Sequence, residues 1–181
     1  GSVGLPLPGT LIEIRDIDTH KTVSTGKTGE IWAYGPQVMR GYWNKKAETE
    51  AALVDGWLRT GDIGYMDSQG YLYLTDRLKD IIICNGYNIY PRVLEDALYH
   101  HDAVLEVAVV AKPHAQKGEV PHAYVVLKDG KTVTEDALKA FANTSLNPLE
   151  RLAGVTITNS LPKTTVGKID KKALKAQRQN V

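Results

Sequence analysis

Lys168 follows Gly167 in the segment KTTVGKID (163–170), just after Pro162 and just before a helical pattern. A lysine on such a turn can be carried to a phosphate, where its charge offsets the anion that builds up during phosphoryl chemistry. The GxxxxGK[ST] spacing of a phosphate loop is absent. The plainer assignment is a solvated basic face shared with Lys163, Lys171, Lys172, Lys175 and Arg178. In LRTGD (58–62), Asp62 stands behind a glycine at the end of a strand pattern. A carboxylate so held can accept both vicinal hydroxyls of a ribose, or it can cap local backbone amides as turn aspartates do. DRLKD (76–80) adds Arg77, a second cation able to reach a nucleotide, and Lys79 at an exposed joint. A solvated charge cluster explains the same residues. NGYN (85–88) is most simply an Asn-Gly hairpin turn, though Gly86 would also let the backbone pass close to a ligand.

Other chemistries find no support. The histidines at 20, 100, 101, 114 and 122 have no metal-ligand spacing with Cys84, which argues against a zinc site. GDIG (61–64) is not a dinucleotide fingerprint, and there is no Gly-x-Ser-x-Gly nucleophile elbow. Lys and Arg (22) nearly balance Asp and Glu (21), which argues against a chain-wide nucleic-acid surface. A single cysteine rules out an internal disulfide and points to a reducing compartment, hence a cytoplasmic expectation. No apolar run approaches the ~18 residues of a membrane span.

The elements that must position these residues fall into two groups. LIEIR (11–15) and EIWAYG (30–35) alternate as strands, NKKAETEAAL (44–53) is helical, and two further strands close on the turn DSQG. That part is β-rich with one helix. After the joint DRLKD come strands IIIC and YNIY, a helix opened by Pro91, and strands at 104–111 and 122–128. A helix capped by Thr134, a short strand GVTIT (154–158) and a final helix KIDKKALKAQRQ (168–179) complete an α+β unit. The expected domains are therefore 1–76 and 77–181. The start, GSVGLPLPGT, lies in a loop and lacks Met, so the chain reads as a fragment.

Order raises the specificity of motifs that are weak singly. The series GEIWAYGPQVMRGYWN (29–44), DGWLRTGDIGYMDSQGYLYLTDRLKDIIICNGYNIYPRVLEDAL (55–98) and LPKTTVGKID (161–170) resembles the C-terminal third of the adenylate-forming superfamily. That superfamily contains acyl-CoA synthetases, peptide-synthetase adenylation domains and luciferases; DRLKDIIICNGYNIYPRVLED looks most like bacterial medium- and long-chain fatty acid–CoA ligases. The resemblance implies a β-rich remnant of a large domain followed by a small mobile α+β domain. It implies a carboxylic acid, Mg-ATP and coenzyme A as partners, in two half-reactions by way of an acyl-adenylate and AMP. Carried over, Asp62 holds the ribose hydroxyls, Arg77 assists at ribose or phosphate, and Lys79 is the hinge. Gly86 serves thioester formation on the coenzyme side, and Lys168 bridges carboxylate and α-phosphate.

The segment NPLERLAG (147–154) departs from the aromatic-lysine stretch common in the family, which puts any coenzyme contact there in doubt. The phosphate loop, most of the Mg2+ site and the acyl pocket would precede Gly1, so the fragment alone should not catalyse. Three alternatives stay open: a carrier-protein-loading adenylation domain, an adenylating enzyme without thioesterification, and a non-catalytic binding module with the same fold. A homodimeric parent, and a position peripheral to the membrane, also stay open.

Overall fold

Alternating apolar residues over Leu11–Arg15 and Gly29–Tyr34 form strands β1 and β2, paired antiparallel from Leu11 against Tyr34 to Arg15 against Glu30. In the computed structural model, which describes residues 1–178, these strands belong to the first of two units, Gly1–Lys79. Helix α1 (Lys46–Ala52) leads into the short β3 (Leu53–Val54), followed by β4 (Trp57–Met66) and β5 (Leu72–Arg77). β4 is the spine of the sheet. β2 runs along one edge of it, while β3 and β5 share the other, all antiparallel. The Asp67–Gly70 turn joins β4 to β5 and is closed by the Gly70 N–H donating to the Asp67 carbonyl at 3.1 Å.

Ile14, Ile31, Trp32 and Ile63 are buried in this unit, and so is a charge: Glu30 is 1% exposed. Its carboxylate accepts from Trp32 Nε1 at 3.0 Å and from Arg59 at 3.2 Å (Nε) and 3.0 Å (Nη2). Arg15 lies over the rings of Trp32 at 4.1 Å and Trp57 at 4.9 Å. A buried carboxylate is tolerated only when paired and hydrogen-bonded in this way.

The second unit starts at Asp80. The division falls after Lys79, where the sequence pattern put it after residue 76, because Asp76 and Arg77 remain in the β5 ladder against Ile63 and Asp62. Leu78–Asp80 is a single 3₁₀ turn. Strands β6 (Ile82–Cys84) and β7 (Tyr87–Ile89) form a hairpin and α2 (Pro91–Tyr99) follows; Pro91 is at its start, where a missing N–H costs nothing. β8 (Val104–His114) and β9 (Gly118–Leu127) make a long hairpin, α3 (Glu135–Ser145) follows, and β10 (Gly154–Ile157) joins β9 in parallel. Helix α4 spans Lys171–Arg178, so its expected end at residue 179 lies outside the described residues.

The apolar run in β8 is continuous because both its faces are covered. Val107 and Val109 meet α2 and α3 through Leu94, Leu98, Leu138 and Ala142, while Ala108 and Val110 meet Leu161, which precedes the Lys168 turn, and Leu174 of α4. β8 and β9 run further than their sequence patterns, through Pro113 and Pro121. Pro121 falls where the partner of β9 changes from Cys84 of β6, opposite Gly118, to β10, whose Gly154 pairs with His122. Glu95 of α2 accepts from the Val109 N–H at 2.8 Å and pairs with Lys171 at 2.7 Å, joining α2, β8 and α4.

His122 on β9 is half-buried, with Nε2 2.9 Å from Thr156 Oγ1 on β10. Burial pushes its pKa down from 6.5 to about 4, helped by Lys112 and Lys139 and opposed by Glu135. The folded value is below the unfolded one, so the stabilisation is complete above the unfolded pKa and is lost as pH falls toward the folded one. Stability should thus decline between neutral pH and pH 5, by about 1 kcal/mol or less once solvent screening at this half-buried site is allowed for, on top of any background slope. Urea midpoints followed by circular dichroism at both pH values check this. His122→Gln should flatten the decline, and an unchanged slope in that variant would refute the assignment.

Candidate functional site

Thr60-Gly61-Asp62 does not end a strand, as the sequence pattern had it, but forms a bulge inside β4. Glu30 pairs with Ile63 and Trp32 with Arg59, so three β4 residues face Ile31 alone. Gly61 takes a φ of +70° there, a conformation that a side chain would strain. The bulge brings Asp62 opposite Arg77 in the β4–β5 ladder, and Arg77 Nε lies 2.8 Å from Asp62 Oδ1. Asp62 is therefore an ion-pair partner and not a cap of local amides. With side chains 28% and 60% exposed, the two groups are open to a ligand. Arg77 occupies one oxygen of the carboxylate, and the remaining lone pairs can accept hydroxyl protons.

Lys79 is exposed, within the 3₁₀ turn, and is the last residue of the first unit. Gly86 sits in the β6–β7 turn, where Asn85 and Gly86 have φ of 52° and 78°, the pair of positive values a two-residue hairpin requires. No atom stands within 4 Å of where a Gly86 Cβ would be, so the turn presents bare backbone. The Asn85 N–H donates to the Lys117 carbonyl at 3.0 Å and the Ile83 N–H to Glu119 at 3.0 Å, fastening this turn to the β8–β9 hairpin. A cavity of about 270 Å³ beside it is lined by Asn85, Tyr87, Lys117 and Arg151 among others. The divergent segment 147–154 thus faces the Asn-Gly turn and brings Arg151 to it.

Lys168 lies on a hairpin turn, and α4 begins at Lys171 and not at Lys168. Lys163 bridges to Ile169, the Thr164 N–H donates to the Lys168 carbonyl at 2.7 Å, and the Gly167 N–H donates to the Thr164 carbonyl at 2.9 Å. Asp170 accepts from the Ala173 N–H at 2.9 Å, which starts the helix and ends the turn. The supposed basic face is divided in its roles. Lys163 pairs with Glu106 at 2.6 Å and Lys171 with Glu95 at 2.7 Å, whereas exposed Lys168 forms no ion pair among the described residues. The turn is tied by backbone hydrogen bonds, and its ammonium has no ion-pair partner among the described residues.

Asp62 and Arg77 are thus brought together in the first unit, while Gly86 and Lys168 sit on separate turns of the second. Two features escaped the sequence reading. Glu30 looks like a solvent-facing position of an alternating strand, and its partner Arg59 is distant in the chain; Trp32, two residues on, is the only local hint. The role of Thr60 in the bulge depends on Ile31, across the sheet. Among the described residues no three of His, Cys, Asp and Glu are grouped as metal ligands, and no helix is long and apolar enough to cross a membrane.

The AMP-binding enzyme C-terminal domain family matches residues 93–168, and the AMP-binding enzyme family matches residues 1–43. The chain belongs to the AMP-binding, adenylate-forming enzymes. It is 48% identical over 174 residues to a long-chain-fatty-acid–CoA ligase of Bacillus subtilis (strain 168), covering 96% of this chain and 31% of that protein. The chain spans about a third of the length of the curated relatives it matches. ATP-bound MatB from Rhodopseudomonas palustris superposes with a TM-score of 0.93 at 33% identity, over 99% of this chain and 36% of its own. Apo MatB reaches 0.72 over the same 99% of this chain and 36% of its own, at 34% identity, so that protein's matched length differs in shape between its two structures. The o-succinylbenzoate CoA synthetase MenE of Bacillus subtilis, in complex with the acyl-adenylate OSB-AMP, gives 0.88 at 37% identity over 97% of this chain and 35% of its own. The expected α+β class agrees with this adenylate-forming fold.

Proposed function

We propose that this chain is the C-terminal part of an AMP-forming acid–CoA ligase that acts on fatty acids. A carboxylate oxygen attacks the α-phosphorus of ATP and pyrophosphate leaves; the thiol of coenzyme A then attacks the acyl carbon, the bond to AMP breaks, and the thiol proton passes to solvent. The observation that carries the reading is the ammonium of Lys168, which has no ion-pair partner among the described residues, on its tethered turn between two lysines that are both engaged. Adenylation brings two anions together, and a cation supplied at that moment stabilises the transition state. Asp62, steadied by Arg77, accepts the ribose hydroxyls.

Thioester formation needs a different surface. The bare Gly86 backbone suits close approach of a thiol, and Lys117 and Arg151 beside it suit the phosphates of coenzyme A. Residues 1–79 would belong to the large domain and the rest to a mobile one, turning about Lys79 so that Lys168 and Gly86 serve in succession. The two shapes of MatB support such alternation. The location that suits this activity is the cytoplasm, peripheral to membranes that hold the substrate.

The test is AMP release by the full-length enzyme on fatty and aromatic acids, with and without coenzyme A. Fatty-acid turnover that depends on the coenzyme is expected. Turnover without that dependence would point to a carrier protein or another acceptor, and none on any acid would refute the reading. Lys79→Pro should separate the half-reactions, lowering one by ~10-fold or more and sparing the other. Equal loss of both would count against rotation.

A further inference from the structure

Thr60 occupies the point where β2 and β4 fall out of step. Across a bulge the ladder is interrupted, and the backbone groups there need other partners. The Thr60 hydroxyl supplies them. It donates to the Ile31 carbonyl at 2.7 Å and accepts the Asp62 N–H at 3.1 Å. A hydroxyl has one proton to give and lone pairs to receive, so a single side chain serves both strands. The Asp62 main chain is held from behind by Thr60, while its carboxylate is held in front by Arg77 at 2.8 Å.

We propose that Thr60 is a positioning residue for nucleotide binding: through the Asp62 N–H, its hydroxyl sets the direction of the Asp62 carboxylate toward the ribose without itself touching the nucleotide. The inference rests on Asp62 being the ribose acceptor. A purely structural role is better filled by other groups. The Arg59–Glu30 pair, at 3.0 Å, already pins β4 to β2 one residue earlier, and the ladder from Asp62 to Met66 pins it to β5. What those contacts leave loose is the Gly61-Asp62 peptide. Gly61 has open space around it and no side chain to restrain it.

The test compares Thr60→Val, Thr60→Ser and Asp62→Asn in the full-length ligase. Pyrophosphate release is measured at varied ATP and at varied 2′,3′-dideoxyATP, which lacks both ribose hydroxyls. Thr60→Val should raise KM for ATP about tenfold, the equivalent of one hydrogen bond lost to a positioned group, with kcat within about twofold. KM for the dideoxy nucleotide should stay at the wild-type value, and Thr60→Ser should restore KM for ATP. Equal losses on both nucleotides, a fall in kcat alone, or no rescue by serine would overturn the proposal. Asp62→Asn reports on the underlying reading. If it discriminates between the nucleotides and Thr60→Val does not, the role of Thr60 alone falls; if it does not discriminate, the ribose assignment falls and takes the proposal with it. Should Thr60→Val fail to fold, Thr60→Ala carries the same comparison.

Discussion

In the proposed full-length ligase, replacing Lys168 with alanine is expected to slow acyl-adenylate formation roughly 10²–10³-fold, equivalent to about 3–4 kcal/mol of transition-state stabilisation. Thioester formation from supplied acyl-adenylate and coenzyme A should change little, because the proposed function gives the ammonium no task once pyrophosphate has left. The variant should fold normally. The Lys168 side chain is exposed and forms no ion pair among the described residues, and the turn is held by backbone bonds of Thr164, Gly167 and Lys168 that alanine retains. A stability change beyond ~0.5 kcal/mol is therefore not expected. Pyrophosphate release and thioester formation, measured separately, decide the matter. A fall in both steps by the same factor would mean that the turn, and not the charge, is what matters. No fall in either would remove Lys168 from the chemistry.

Arg59→Ala is expected to destabilise the first unit by ~3–5 kcal/mol, since it leaves the Glu30 carboxylate buried with, among the described residues, only the Trp32 indole as a hydrogen-bond donor. The loss includes packing, as the Arg59 guanidinium also lies 5.4 Å from the centre of the Trp32 ring. All three tryptophans, at 32, 43 and 57, fall in the first unit, so their fluorescence follows its unfolding without contribution from the second. Urea denaturation of the 181-residue chain, read by that fluorescence, should show the lowered midpoint. Replacing Glu30 and Arg59 together with leucines should recover much of the loss, because no charge is then left unpaired. A loss below ~1 kcal/mol for Arg59→Ala would mean that water reaches Glu30 in place of the arginine.

Several features of this protein are written within a few residues of where they act. The Asn85-Gly86 hairpin, the Pro91 start of α2 and the Thr134 cap of α3, whose hydroxyl accepts from Ala137 N–H at 3.2 Å, are local bargains between side chain and backbone. The continuous apolar run of β8 likewise announces a strand buried on both faces. Lys168 was legible as a lysine on a Gly-containing turn for the same reason, and the ordered motifs pointed to the adenylate-forming family. What no short window contains is partnership. That Asp62 meets Arg77 depends on the β4–β5 register, and that Glu30 is buried depends on Arg59 reaching it from another strand. Tertiary contacts also carry β8 and β9 past their prolines, set β10 parallel to β9, and pair Lys163 with Glu106 and Lys171 with Glu95 while Lys168 has no ion-pair partner among the described residues. Caps and turns are decided by backbone dihedrals and hydrogen bonds that neighbours along the chain can satisfy. Registers, buried charges and the choice of ion-pair partner are decided by which distant residues packing brings within reach, and only the folded chain makes that choice.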